Sequence, residues 1–168
     1  MNELPKLRGI PRVSETRIIP AGTPEALDQV RLLFREYADG TGACECFEGL
    51  ADEIARLPGT YGPPTGQLLF AQVDGRSDGC VALRKLDDGL CEMKRLYVRP
   101  AFRGRGLGRH LAEGIIREAR RIGYRAMRLD TLSSMVAARA LYQALGFRAI
   151  PRYNDNPGAG VIHLELRL

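Results

Sequence analysis

The sequence predicts a mixed α/β domain with a sheet of about seven strands, flanked by about four helices and not all parallel. Three observations carry this. At 168 residues, 45% hydrophobic and 27% charged, the chain has the size and composition of one ordinary globular domain with a real core. Strand-length apolar runs and helix-spaced apolar stripes follow one another in the order β-α-α-β-β-β-α-β-α-β-β. Two hairpin connections within that order preclude an all-parallel sheet.

Residues 1–15 read as an N-terminal arm and residues 16–168 as the domain. Arg17-Ile18-Ile19 is a short first strand. Thr23-Pro24-Glu25 places an N-cap before a helix-starting proline. Leu27, Val30, Leu33, Phe34 and Tyr37 then keep helical spacing up to Gly40. Phe47, Leu50, Ile54 and Leu57 repeat that spacing and stop at Gly59. Pro58 to Gly66 is a Gly/Pro loop, and Leu68 to Val73 and Cys80 to Leu83 are apolar runs of strand length. Asp88-Gly89 marks a hairpin into the strand Glu92 to Val98. Leu107, Leu111, Ile115 and Ile122 stripe a long helix that begins near Arg105 and ends at Gly123. Met127 to Thr131 is a strand. Ser133 or Ser134 caps a helix through Leu145, stopped by Gly146, and Val161 to Leu166 alternates as the last strand.

No stretch reaches the ~18 consecutive apolar residues of a membrane span, and the N-terminus lacks an apolar run of signal-peptide length, so a cytoplasmic protein is expected. The four cysteines do not form a disulfide framework. Cys44 and Cys46 make a C-x-C pair with no second pair at metal spacing. The hairpin at Asp87-Asp88-Gly89 places Cys91 near Lys85 rather than near Cys80. Four free thiols are expected, and two scattered histidines, His110 and His163, leave no metal site.

Charge is divided along the chain. Between Thr23 and Pro58 there are eight acids and three arginines; between Lys94 and Arg128 there are eleven bases and two acids. The net charge of +5 averages two unlike segments. A basic block of this kind suits an anionic partner, a nucleic acid or a phosphorylated cofactor, or it is a solvated helix face. Inside the block, Val98-Arg99-Pro100-Ala101-Phe102-Arg103-Gly104-Arg105-Gly106-Leu107-Gly108 ends a strand and opens a helix through a glycine-rich turn. The first turn of a helix has unpaired N–H groups and the positive end of the dipole. Glycines let an anion approach the backbone, so the turn is a pyrophosphate cradle in physical terms. It is neither a Walker loop nor a dinucleotide fingerprint, since its spacing is G-x-G-x-G.

Arg103-Gly104-Arg105-Gly106-Leu107-Gly108 resembles the Q/R-x-x-G-x-G/A signature of the GNAT superfamily, the acetyl-CoA-dependent N-acyltransferases. Glu92-Met93-Lys94-Arg95-Leu96-Tyr97-Val98 is similar to that family's fourth strand. Ala138-Arg139-Ala140-Leu141-Tyr142-Gln143-Ala144-Leu145-Gly146-Phe147 is similar to its A-x-x-L-Y-x-x-x-G-F segment. The resemblance covers roughly Cys80 to Phe147. It implies a mostly antiparallel sheet whose fourth and fifth strands splay to admit the pantetheine arm of acetyl-CoA. It further implies pyrophosphate binding at Arg103, Gly104, Arg105, Gly106, Leu107 and Gly108, with Arg109 nearby, and pantetheine pairing at Leu96 and Val98. The thioester would lie between Leu96-Val98 and Met127-Thr131. In one departure, Met135 stands where many members carry Asn, so that polar contact to the cofactor is either missing or made by Ser133 or Ser134.

The implied reaction is direct attack of a primary amine on the thioester in a ternary complex. An alkylammonium with pKa ~10.4 must first lose a proton. Glu92 lies eleven positions before Arg103, where some members carry their general base. The same hairpin register sets Arg84 opposite Glu92, so Glu92 is either a base, directly or through water, or a cross-strand ion pair. Tyr142 matches the tyrosine that donates a proton to the leaving thiolate; on residue chemistry alone it is equally a core tyrosine beside Leu141 and Leu145.

The acceptor would be shaped by the first two helices, the Pro58–Gly66 loop and the Tyr153-Asn154-Asp155-Asn156-Pro157 loop. Acids of the N-terminal half suit an amine, and Lys94, Arg95 or Arg84 a carboxylate, which together fit a small amino-acid-like or peptide amine. Two other classes use the same residues. One is a domain that binds acyl-CoA without catalysis. The other is a basic nucleic-acid-binding module, but the chain lacks an aromatic platform for it and gathers its arginines at one helix. A homodimer stays open.

Overall fold

The computed structural model describes residues 15–41, 49–156 and 158–168. Cys44, Cys46, Phe47 and Pro157 lie outside that set. The chain runs β1 (Thr16–Pro20), α1 (Pro24–Thr41), α2 (Leu50–Ala55), β2 (Gln67–Val73), β3 (Arg76–Asp87), β4 (Leu90–Val98), α3 (Leu107–Ile122), β5 (Ala126–Leu132), α4 (Val136–Ala144), β6 (Arg148–Ala149) and β7 (Val161–Arg167). Seven strands form one sheet in the order β1-β2-β3-β4-β5-β7-β6. Every neighbouring pair is antiparallel except β4 and β5.

Local chemistry explains most boundaries. The Thr23 Oγ1 accepts the Ala26 N–H at 3.3 Å, which caps α1 where Pro24 begins it. The β2–β3 turn places Asp74 and Gly75 at φ 50° and 82°, the left-handed pair that matches the twist of a tight hairpin. The β3–β4 register sets Arg84 against Glu92 and Lys85 against Cys91, as the sequence predicts. Other boundaries differ. β3 runs back to Arg76 because Arg76, Ser77 and Gly79 pair with β2, with Asp78 bulged between them. The second helix is six residues, Leu50–Ala55, and Leu57 packs in the core beyond it. A further turn of 3-10 helix at Gly59–Tyr61 occupies the expected loop. The fourth helix is not capped by a serine. Its N-cap is Met135, without a side-chain bond, and the Ser133 N–H extends the β5–β7 ladder to the Gly160 carbonyl at 2.8 Å.

The sheet separates two apolar layers. On one face α3 lays Leu111, Ala112, Ile115 and Ala119 against Leu69, Val81, Leu83, Met93, Met127 and Leu129. On the other, α1 and α2 bring Val30, Leu33, Phe34 and Ile54 onto Leu68, Phe70, Cys80 and Ala82. The inner strands β2 and β3 are therefore buried on both faces, which is why they read as unbroken apolar runs. Gly66, at the entrance to β2, has no room for a side chain: a Cβ there would lie 2.5 Å from the Thr60 carbonyl oxygen.

Candidate active site

The site begins where β4 and β5 stop pairing. They share the pairs Leu90–Ala126, Cys91–Met127 and Glu92–Arg128 and then part. A bulge in β4 accompanies the separation: Cys80 faces Tyr97 and Ala82 faces Lys94, so Arg95 and Leu96 together oppose Val81. Arg95 takes φ 57°, a left-handed conformation that costs an L-residue about 1–2 kcal/mol. Its guanidinium is held on Glu53 of α2 at 3.0 and 2.9 Å, and Tyr61 donates to the same carboxylate at 3.0 Å. Burial opposes ionisation of Glu53, but the Arg95 and Tyr61 hydrogen bonds outweigh it and hold the carboxyl below its usual range.

The opening is a cleft of about 810 Å³. Leu96, Val98, Arg103, Gly104, Gly106, Leu107, Gly108, Arg109 and Tyr142 all line it. At one end Gly106 caps α3 with φ 80°, and Gly104 has φ 74°. A Cβ at either glycine would meet nothing within 4 Å, so their backbone conformation, rather than crowding, selects glycine. The first intrahelical bond runs from the His110 N–H to the Gly106 carbonyl. The N–H groups of Leu107, Gly108 and Arg109 thus begin a helix with no carbonyl of that helix before them. Arg105 is the one predicted loop residue that does not line the cleft. It sits over the Phe102 ring, 5.5 Å from the centroid. The Arg103 Nε donates to the Val98 carbonyl at 2.9 Å, tying the turn back to the strand end. Apolar groups of α4, Ala138 and Leu141, complete this part, and Ser134 and Met135 line it beside them. An extended, phosphate-bearing ligand of the coenzyme A type fits the anion cradle, the apolar wall and the unpaired strand edge.

Tyr142 is buried and meets Phe147 edge-on at 5.7 Å. Burial pushes its phenol well above the ordinary range, and Tyr37 and Asp130 push the same way. Glu92 is fully buried and lies behind the cleft lining. It accepts from the Arg84 Nε at 2.6 Å and from the Tyr153 hydroxyl at 2.7 Å. The Lys94 Nζ stands 3.8 Å away, between Glu92 and the cleft.

Sequence reading missed Asp130. It lines the cleft opposite Lys94, whose Nζ lies 3.4 Å from the Asp130 Oδ1. The Asn154 and Asn156 amides each donate to the Asp130 Oδ2 at 2.9 Å. Burial raises the Asp130 pKa, but Lys94 and the two amides more than offset it, leaving the carboxyl below its usual value. The available signal was the alternation of β5. Met127, Leu129 and Thr131 are buried, while Arg128 and Asp130 take the opposite face. Among the described residues, no three His, Cys, Asp or Glu side chains gather as a metal site.

Solved structures share this architecture. An acetyltransferase from Streptococcus agalactiae superposes over 91% of this chain and 98% of its own, with TM-score 0.76 at 23% identity. A GNAT family acetyltransferase from Elizabethkingia anophelis, solved with acetyl-CoA bound, superposes over 91% and 98% with TM-score 0.63 at 23% identity. At these identities the likeness is one of fold. An uncharacterized N-acetyltransferase of Schizosaccharomyces pombe is nearer in sequence: 40% identical over 147 residues, covering 86% of this chain and 90% of the relative. The model of the acetyltransferase (GNAT) family matches residues 30–147, more than half of the chain and the whole of the cleft's glycine turn and β4–β5 opening, and the chain belongs to that family.

Proposed function

We propose that this chain transfers the acetyl group of acetyl-CoA to the primary amine of a small amino-acid-like or peptide substrate, by direct attack with both partners bound. The parting of β4 and β5 after three residue pairs carries the reading. It opens a cleft with the glycine turn at one end and the Lys94–Asp130 pair at the other. Acetyl-CoA supplies an activated acyl thioester. The N–H groups at the start of α3, set among Arg103, Gly104, Arg105, Gly106, Leu107, Gly108 and Arg109, suit its pyrophosphate. The Leu96–Val98 edge of β4 offers main-chain groups to the pantetheine arm.

Tyr142 serves the leaving sulfur. A phenol at ~10 already lies about 2 kcal/mol uphill of a thiol at ~8.5, and burial raises Tyr142 further. Its hydroxyl therefore stays protonated and assists by a hydrogen bond to the departing sulfur, and the released thiolate takes its own proton from water. Glu92 takes the amine proton through water. Its own contacts, Arg84 and Tyr153, equally suit a purely structural ion pair, and the pH dependence of the Glu92→Gln variant separates the two.

Release of CoA thiol is the test, measured across a panel of primary amines. Thiol release that requires both acetyl-CoA and one class of amine, with the acetylated amine recovered in equal amount, is the expected result. No release with any amine, or release that ignores the amine, overturns the reading.

A further inference from the structure

The acceptor end of the cleft carries a charge arrangement that acyl transfer alone does not demand. Lys94 on β4 and Asp130 on β5 face each other across the gap between the parted strands. Close charge-assisted bonds run at about 2.7–2.9 Å. Lys94 reaches neither of its carboxylates that closely: Asp130 lies at 3.4 Å and Glu92 at 3.8 Å. The charge of Glu92 is already met by Arg84 at 2.6 Å and by the Tyr153 hydroxyl. An ammonium with three donors is thus suspended between two anions and closely held by neither.

Asp130 is held differently. The Asn154 and Asn156 amides fix its Oδ2 from the loop before β7, while among the described residues its Oδ1 takes only the long Lys94 contact. A carboxylate has about four acceptor positions, so Oδ1 retains room for a further donor. The depressed pKa of Asp130 keeps it charged, which suits it to attract an ammonium rather than to remove its proton.

We propose that Lys94 and Asp130 form a reader for an α-amino acid: Asp130 receives the ammonium that will be acetylated, and Lys94 receives the carboxylate on the neighbouring carbon. In an amino acid these two groups are a single carbon apart, a separation commensurate with the 3.4 Å between Nζ and Oδ1. The four charges then alternate in sign around a square. An amine without the carboxylate leaves Lys94 underbonded, and a carboxylate without the amine leaves Oδ1 unfilled. The inference rests on the acyl-transfer reading and adds to it the class of acceptor and the two side chains that select it.

The test compares the twenty standard amino acids with their α-carboxamides, in turnover and in calorimetric titration against the enzyme saturated with CoA. At least one amino acid is expected to exceed its amide by about 10- to 100-fold in kcat/KM and in affinity, the scale of one lost charge-assisted bond. Lys94→Gln should bring that ratio close to one while acetyl-CoA affinity stays within a few-fold, and Lys94→Arg should restore part of it. Asp130→Asn should weaken acid and amide alike. Equal use of acid and amide by the parent enzyme, or an undiminished ratio in Lys94→Gln, overturns the reader and leaves acyl transfer standing. Absence of turnover with every amine overturns both.

Discussion

Tyr142 and Glu92 make opposite demands on a side chain, and substitution tells their roles apart. Tyr142→Phe keeps the edge-on contact with Phe147 and deletes only the hydroxyl. We expect kcat to fall about 10- to 100-fold with acetyl-CoA affinity nearly unchanged, because the lost bond belongs to the departing sulfur. The deficit should shrink with a more acidic leaving thiol, measured with activated thioesters. Glu92→Gln should lower the rate about 100-fold near pH 7 and recover as pH approaches the pKa of the amine, if Glu92 accepts its proton. A flat pH profile with a lowered melting temperature would instead mark the carboxylate as the anchor of Arg84 and Tyr153. The Arg84–Glu92 contact was legible in the sequence because a hairpin fixes its own register. The Tyr153 contact was not, since it spans 61 positions and depends on how a loop returns over the sheet. Asp130 was hidden for a related reason: only the divergence of β4 and β5 turns an ordinary strand acid into a cleft-lining one.

Two short segments carry the elements' mechanical and binding roles. At the start of α3, Gly106→Asp would put a carboxylate where the helix offers N–H groups and would force an L-residue to φ 80°. Loss of acetyl-CoA binding by at least about 100-fold in a folded protein is the expected outcome, read by calorimetry; unchanged binding would remove the turn from the cofactor site. At the entrance to β2, Gly66→Ala must push against main-chain atoms of Thr60 and Tyr61. Overpacking of this kind costs about 1–3 kcal/mol, and a denaturant midpoint should fall accordingly. Strong local signals such as the Thr23 cap, the Asp88-Gly89 turn and the glycine after α3 fixed their elements from the sequence. Weak ones failed. Neither Ser133 nor Ser134 caps α4, because the Ser133 N–H continues the β5–β7 ladder to the Gly160 carbonyl and the helix begins only after Met135, a tertiary bond that no local pattern announces.

At the scale of the whole molecule the two unlike charge segments meet. Glu36 and Glu53 come from the acidic segment, and Arg99 and Arg95 from the basic one; they pair at 2.7 and 2.9 Å. Part of the basic block is therefore spent on fastening α2 to β4 and α1 to the residue just beyond it, a use that composition could not distinguish from ligand binding. The Arg99 hydrogen bonds hold Glu36 below its usual pKa, Arg95 does the same for Glu53 against its burial, and Lys94 with two amides for Asp130. Carboxyls depressed in the folded state stabilise it above their unfolded pKa, and that contribution disappears as pH falls through the folded values. Melting temperature should therefore hold steady from pH 7 to about 5 and drop below about 4.5, and Glu36→Gln should flatten the drop. The inner edge of β4 beyond Glu92 has a further consequence, for how such a site can change over time. In the proposed function, what β4 and the first turn of α3 present to the donor is main chain, and every residue except proline carries the same N–H and C=O groups. With the donor held in that way, side chains around the acceptor can be exchanged without loosening the grip on the donor, so one half of the proposed chemistry is set by backbone geometry while the other half is free to be rewritten.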